Sequence, residues 1–246
     1  MQLFLREGRR VVLTEVGERL FRLSERYFET EAEMADLLSE SRAAPVGKLR
    51  LMVDSAHHVT GLLTAFRARH PGISLHVRSG NTEAVIAALQ GYEAEVGLAG
   101  TKDFGREMKV LTLGASPIVA FASRGILAGG RARTLAELAE FPLVLREKGS
   151  KTRAKLEAEA SRCGFRLRPA IVAEGREAVR EIVASGAGVG FVSRAELGHD
   201  PRLLEIPLKG HRMAMQESLV HLATRADVRV IRVFMDFARK YTGDAD

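Results

Sequence analysis

Three stretches of the sequence place polar side chains at the predicted start of a helix. They are residues 79–82, 148–153 and 174–177, and the last two also contain arginines. The free N–H groups and the positive dipole end of a helix start favour anions. One such stretch alone commonly indicates only a capped helix. Three of them, at matching strand ends, predict a site for a small anion.

Residue types that enzymes use are present, but without the spacing that catalysis requires. The sequence has no HExxH or CxxC pattern, and the neighbouring His57 and His58 point apart on any regular element. The glycine-rich run 186–190 lies between a predicted helix and a strand, which is the reverse of a phosphate-cradling loop. We therefore predict no catalytic residue, no metal site and no cofactor.

The elements that must position these stretches alternate between strand and helix. Residues 48–100 predict βαβαβ, with parallel strands, right-handed crossovers and a ligand site beyond the carboxyl ends of the strands. Two short strands are expected at 108–113 and 117–123. Residues 134–193 then repeat the α/β alternation, and a strand and an amphipathic helix close the chain.

The first 44 residues predict a basic hairpin followed by a long helix. Two short apolar segments place Arg6, Arg9 and Arg10 at the tip of the hairpin, where arginines can meet DNA phosphates. Apolar residues of the helix then recur at alternating spacings of four and three, which is a heptad pattern. This stripe consists of Val16, Leu20, Leu23, Tyr27, Thr30, Met34 and Leu37. It predicts dimerisation; the alternative is a helix that packs back on its own domain.

Composition narrows the class of protein. A net charge of +6 and a pI near 9.8 fit either a nucleic-acid partner or an ordinary solvated basic surface. No apolar run is long enough for a membrane helix, and the first residues lack the apolar core of a signal peptide. The single cysteine excludes an internal disulfide. These features predict a cytoplasmic protein with no membrane partner.

The chain resembles the LysR-type transcriptional regulators. LFLREGRRVVLTEVGERL is similar to the family's wing and the start of its linker helix, and residues 48–100 are similar to its first regulatory subdomain. IVASGAGVGFVS resembles the family's signature in the second subdomain. The resemblance implies an α/β fold of two Rossmann-like subdomains of the periplasmic-binding-protein type. Two crossover strands would join them, and a long linker helix would precede them.

The resemblance also implies a division of the chain. Residues 1–13 would be the wing remnant of a winged helix-turn-helix, 14–44 the linker and dimerisation helix, 47–116 plus 212–242 subdomain I, and 117–211 subdomain II. The family's helix-turn-helix has no counterpart here, so this chain alone should bind DNA weakly and without sequence preference. Family members hold a small effector between the subdomains and bind promoter DNA as homo-oligomers, here a homodimer or homotetramer.

Within the family, segments 143–160 and 174–203 are most similar to regulators associated with aminoethylphosphonate catabolism, although Gly175 stands where a serine is expected. This similarity implies a small anionic effector, with an aminoalkylphosphonate as the leading candidate. Arg176 would form a bidentate pair with the anion, and Glu177 would pair with an ammonium group. The remaining residues expected to line the cleft are Ser55, Asn81, Thr82, Ser150, Thr152 and Arg153.

Alternatives remain for the site and for the function. Arg153 and Arg176 can instead lie on solvated helix surfaces, paired with Glu157 and Glu174. A solute-binding protein of the same fold would carry a signal peptide and would not need the heptad stripe. An enzyme on a similar fold would need catalytic acids or a threonine-based site, and none is recognisable.

Overall fold

The structure, a computed structural model, describes residues 1–7, 10–38, 46–101, 103–127 and 131–243. In chain order, its helices and strands are β1 (Phe4–Glu7), β2 (Arg10–Leu13), α1 (Glu15–Leu38), β3 (Gly47–Val53), α2 (Thr60–Arg69), β4 (Ile73–Ser79), α3 (Thr82–Gln90), β5 (Val96–Ala99), β6 (Met108–Ser123), α4 (Leu135–Leu138), β7 (Leu143–Arg146), α5 (Lys151–Arg162), β8 (Pro169–Ala173), α6 (Arg176–Ala184), β9 (Val189–Ser193), α7 (Arg194–Leu197), β10 (Leu203–Ile206), β11 (Ala214–Leu222) and α8 (Arg229–Gly243).

A two-stranded antiparallel hairpin, β1 and β2, precedes the long helix α1. Arg6 pairs with Val11 across this hairpin, and Arg10 begins its second strand. Arg9 lies outside the described residues. The hydroxyl of Thr14 accepts the N–H of Gly17 at 2.9 Å, which caps the start of α1. Contact of the three arginines with DNA remains a prediction.

The heptad stripe of α1 is exposed to solvent within this chain. Its described apolar side chains are between 44% and 67% exposed, and they are Val16, Leu20, Leu23, Tyr27 and Met34. The side chain of Leu37 lies outside the described part of the structure. A helix packed back on its own domain would have covered this surface, so the exposure favours a partner over that alternative.

One mixed sheet runs through both subdomains, in the order β4-β3-β5-β11-β6-β9-β7-β8, with β10 on β6. In the first half, β3 pairs in parallel with β4 and β5. In the second half, β7 pairs in parallel with β8 and β9. The antiparallel strands β6 and β11 lie between the two groups. This confirms the α/β fold of two subdomains joined by two crossover strands.

Strand β6 corrects one sequence-based expectation. Two strands were predicted at 108–113 and 117–123, but Met108–Ser123 is one continuous strand. Pro117 ends the pairing with β11, and Ile118 begins the pairing with β9. Because proline lacks an N–H donor, it is tolerated where the strand changes partner. The same strand therefore belongs to both halves of the sheet.

Helices cover both faces of each half of the sheet. In subdomain I, α2 and α8 pack Phe66 and Phe234 against β3, while α3 packs Leu89 on the opposite face. In subdomain II, α5 packs Leu156 on one face and α6 packs Val183 on the other. Among the described helices, none is long and apolar enough to cross a membrane.

Candidate ligand-binding cleft

A cleft of about 1240 Å³ lies between the two subdomains. Its walls follow the carboxyl ends of β3, β4, β7 and β8, which is the edge where open α/β sheets bind ligands. Of the residues predicted to bind the effector, five line the cleft: Ser55, Asn81, Thr152, Arg176 and Glu177. The starts of α3, α5 and α6 therefore reach one cavity from both subdomains.

Asn81 connects the two walls. Its Oδ1 accepts the N–H of Ala84 at 3.0 Å and caps α3, while its Nδ2 donates to the Lys148 carbonyl at 3.3 Å. The first bond is within subdomain I, and the second reaches subdomain II. The Lys148 side chain is exposed and lines the cleft, so it can approach a bound anion.

Arg176 also reaches from one subdomain to the other. From the first residue of α6 its Nη1 donates to the Asp54 carbonyl of subdomain I at 3.2 Å. Its Nε lies 2.8 Å from Glu196 Oε2, and this pairing differs from the alternative in which Glu174 is the partner. Within the described residues, Nη2 has no hydrogen-bond partner beside these two contacts, so this amino group can donate to a ligand.

The other three predicted effector residues lie outside the lining of the cleft. The Thr82 hydroxyl donates to Asp54 Oδ2 at 3.2 Å, and Ser150 caps α5. Arg153 pairs with Glu157 at 2.8 Å, as the alternative proposed, but its side chain is only 12% exposed and also donates to the Arg146 carbonyl at 2.9 Å, so it does not lie on a solvated surface. These side chains support the loops of the cleft, and direct contact with an effector stays a prediction for each.

The carboxylate of Glu147 lies at the start of α6. Its Oε2 accepts the Gly175 N–H at 3.2 Å, and both its oxygens accept from Arg146, at 2.7 and 2.8 Å. Burial acts to raise the pKa of Glu147, but the hydrogen bonds and charge of Arg146 outweigh it and lower the pKa to about 2. Gly175 has a φ of 77°, a left-handed backbone conformation that favours glycine over residues with a side chain.

The low pKa of Glu147 makes its contribution to stability depend on pH. A carboxylate whose pKa is lower in the folded protein than in the unfolded chain stabilises the fold. Its full contribution is present above the unfolded pKa of 4.5, and it is lost as the pH falls towards the folded pKa of about 2. This shift of the pKa corresponds to about 3 kcal/mol in the free energy of unfolding. We expect Glu147→Gln to lower the free energy of unfolding by about 2–3 kcal/mol at pH 7 and by much less at acidic pH.

Urea unfolding at several pH values measures this dependence. Glu157→Gln is the control, because Glu157 is about half exposed and its pair with Arg153 should contribute less than about 1 kcal/mol. An effect of Glu147→Gln that stays the same from pH 7 to pH 3 would show that the Arg146 pair does not set the pKa.

A buried ionic cluster lies at the base of the cleft. His58 Nε2 is 2.9 Å from Glu196 Oε1 and 3.5 Å from Glu217 Oε1. The carboxylate of Asp54 accepts the Gly100 N–H at 2.6 Å on one oxygen. In the described structure, the other oxygen of Asp54 and Oε2 of Glu217 are buried without a hydrogen-bond partner. The carboxylates of this cluster therefore outnumber the cationic side chains that could neutralise them.

Burial decides the ionisation of this cluster. It raises the pKa of Glu217 to about 7, with help from the charge of Asp54, and it raises the pKa of Asp54. Burial acts in the same direction on Glu196, but the hydrogen bond from His58 and the charge of Arg176 lower its pKa. For His58, burial acts to lower the pKa, and the two glutamates outweigh it and raise the pKa.

Sequence reasoning missed this cluster. His58 Nε2 pairs with Glu196 across 138 positions in the chain, which no spacing rule links. The available signal was Glu217, an acid in a segment that otherwise reads as a buried strand, AMQESLVHL. An acid in such a strand indicates a partner elsewhere in the fold.

Comparison with known proteins identifies the family of this fold and cleft. The family model described as LysR substrate binding domain matches residues 42–243. The chain belongs to the LysR family. The matched region of this LysR-family chain contains both subdomains and the whole lining of the cleft.

Proteins with sequences similar to this chain include a transcriptional regulator and a transport protein. The RuBisCO operon transcriptional regulator of Allochromatium vinosum is 34% identical over 196 residues, which are 78% of this chain and 65% of that relative. The phosphonates import ATP-binding protein PhnC of Anaeromyxobacter dehalogenans is 31% identical over 170 residues, covering 67% of this chain and 34% of that protein. The chain thus spans just under two thirds of the first relative.

A solved structure has the same fold. The regulatory domain of CcmR from Synechocystis PCC6803, in complex with 2-PG, superposes with a TM-score of 0.72. It is 23% identical, and the match covers 80% of this chain and 97% of that domain. At this identity, the similarity shows the fold of the two subdomains.

Proposed function

We propose that this LysR-family chain senses a small anionic metabolite in its cleft and controls promoter binding by the family's helix-turn-helix in the cytoplasm. One observation carries the proposal. The helix starts of α3, α5 and α6, from both subdomains, meet in one cleft beside Arg176, whose Nη2 amino group has no partner among the described residues. N–H groups of helix starts and a guanidinium are the groups that bind phosphate-type oxygens.

A phosphonate or phosphate ester is the leading candidate for the effector. A phosphonate import protein contains a stretch similar to this chain, and the solved CcmR domain is in complex with 2-PG. Glu177 is exposed at the wall of the cleft, where its carboxylate can accept hydrogen bonds from an ammonium group. An aminoalkylphosphonate would use both charges of this wall, the cation of Arg176 and the anion of Glu177.

The mechanism rests on residues that already reach across the cleft. Arg176 and Asn81 each make a hydrogen bond from one subdomain to the other. An anion bound by Arg176, Lys148 and the starts of α3 and α5 would contact both walls at once. Such a ligand stabilises the arrangement in which the walls lie at this separation, and so shifts the population of regulator conformations.

A solute-binding protein is the competing function. It would use the same cleft but would leave the exposed stripe of α1 without a role. The stripe instead suits a regulator whose subunits pair through that helix. An effect of the ligand on DNA binding therefore separates the two functions.

The test is a native-gel shift on promoter DNA with the chain joined to the helix-turn-helix residues that precede the wing in its family. We expect 2-aminoethylphosphonate or another phosphate-type anion to change the DNA dissociation constant about fivefold or more. A neutral analogue of the same size should have no effect. If anions bind the cleft but none of them changes the DNA dissociation constant, the regulatory role is contradicted and a solute-binding protein is favoured.

A further inference from the structure

We propose that His58, Glu196 and Glu217 form a binding site for a divalent metal ion of the zinc type at the base of the cleft. The sequence analysis predicted no metal site, because His57 and His58 cannot share an ion. The structure supplies a different set of ligands, which comes from three separate parts of the fold. His58 follows β3 of subdomain I, Glu217 lies on crossover strand β11, and Glu196 lies on α7 of subdomain II.

The distances fit tetrahedral coordination. Zinc binds histidine nitrogen and carboxylate oxygen at about 2.0–2.2 Å, so two ligand atoms of a tetrahedral site lie about 3.3 Å apart. His58 Nε2 lies 2.9 Å from Glu196 Oε1 and 3.5 Å from Glu217 Oε1, on either side of that value. One atom from each of the three residues lies within 4.8 Å of the other two. A small shift of side chains would admit the ion.

The burial and the negative charge of this cluster give a second reason to place a metal ion there. Glu217 is only 4% exposed, and its Oε2 has no hydrogen-bond partner in the described structure. Glu196 and Asp54 add two further carboxylates, against the one permanent charge of Arg176. Buried carboxylates of this kind need a counter-charge, and a divalent ion between them supplies it.

Neighbouring groups hold the carboxylate of Glu196 in place. Arg176 Nε lies 2.8 Å from the Oε2 of Glu196, so that Oε1 faces His58. Ser55 also hydrogen-bonds the Glu196 side chain. Such outer partners orient the ligands of metal sites and increase their affinity.

A second cluster, Glu159, Cys163 and His211, also has metal-ligating types within reach, but it is less suitable. His211 Nδ1 contacts Glu159 at 2.5 Å, and His211 Nε2 accepts the Leu135 N–H at 3.4 Å, so both ring nitrogens are in use. Cys163 is exposed. Every protein in the experiment therefore carries Cys163→Ser, which removes one ligand of this second cluster.

The deciding experiment titrates Co²⁺, and then Zn²⁺, into the chelator-stripped full chain with Cys163→Ser. We expect one equivalent per chain. The cobalt absorption should be that of a tetrahedral nitrogen–oxygen site, and zinc should displace the cobalt. The absence of stoichiometric binding, or an octahedral spectrum typical of loosely held surface ions, would overturn the proposal.

Matched variants locate the ion. Glu217→Gln keeps the shape of the side chain but removes its charge, and it should weaken metal binding at least about a hundredfold, since loss of outer partners alone costs up to that much. His58→Gln should do the same. His57→Gln is the control, because the exposed His57 side chain lies next to His58 but outside the cluster. Equal metal binding by the His57 and His58 variants would place the ion elsewhere.

Discussion

Replacing Leu20 and Leu23 with glutamate is expected to raise the dissociation constant of the dimer at least about a thousandfold. These leucines are 44% and 51% exposed in the single chain, as part of the heptad stripe on α1. Burial of a leucine contributes about 1.5–3 kcal/mol, and a two-fold dimer would bury four of them. A loss of only about 4 kcal/mol already gives a thousandfold change.

Sedimentation equilibrium of the parent and the variant measures this effect. Arg22→Glu is the matched control, since it also introduces a negative charge but lies outside the stripe in the heptad. The control should associate like the parent, apart from a small loss of its 3.7 Å pair with Glu18. Unchanged particle mass in the double variant would mean that α1 does not carry the association.

Arg176→Gln is expected to weaken anion binding by tenfold to a hundredfold. The guanidinium contributes a charge and the Nη2 donor described above, and a charge-assisted hydrogen bond contributes about 1.5–3 kcal/mol. The effect should appear for phosphonate, phosphate and sulfate alike. Arg162→Gln is the control, because Arg162 carries the same charge but pairs with Glu159 away from the cleft lining.

The same variant has a consequence for stability that the sequence did not suggest. Arg176 pairs with Glu196, whose side chain is only 3% exposed. Removal of the cation leaves Glu196 with His58 and Ser55 as partners. We therefore expect ligand-free Arg176→Gln to unfold at a lower temperature than the parent protein. Anion binding is compared at a temperature below both unfolding transitions. Wild-type affinity in folded Arg176→Gln would remove this residue from the site.

Local patterns in the sequence predicted much of the fold. The βαβαβ order of residues 48–100 follows from strand and helix periodicity, and the cap at Asn81 follows from its side chain. The position of the cleft followed from the strand ends. Each of these features depends on residues that are close in the chain or on a rule of sheet topology.

Features that depend on distant residues could not be predicted in this way. Two strands were predicted at 108–113 and 117–123, but the structure has one continuous strand, which changes its partner at Pro117. Arg176 had Glu174 as a nearby partner in sequence, and the fold brings Glu196 to it instead. The register of β11, which places Glu217 next to His58, is likewise set by pairing across the sheet.

Isothermal titration calorimetry of the full chain tests the central claim most directly. The panel is 2-aminoethylphosphonate, inorganic phosphate, sulfate and a neutral analogue of the aminophosphonate. We expect at least one of the anions to bind in a 1:1 ratio, with the aminophosphonate tightest and the neutral analogue at least about tenfold weaker. Equal binding of the neutral analogue and the anions, or no binding of any anion, would contradict an anion-sensing cleft.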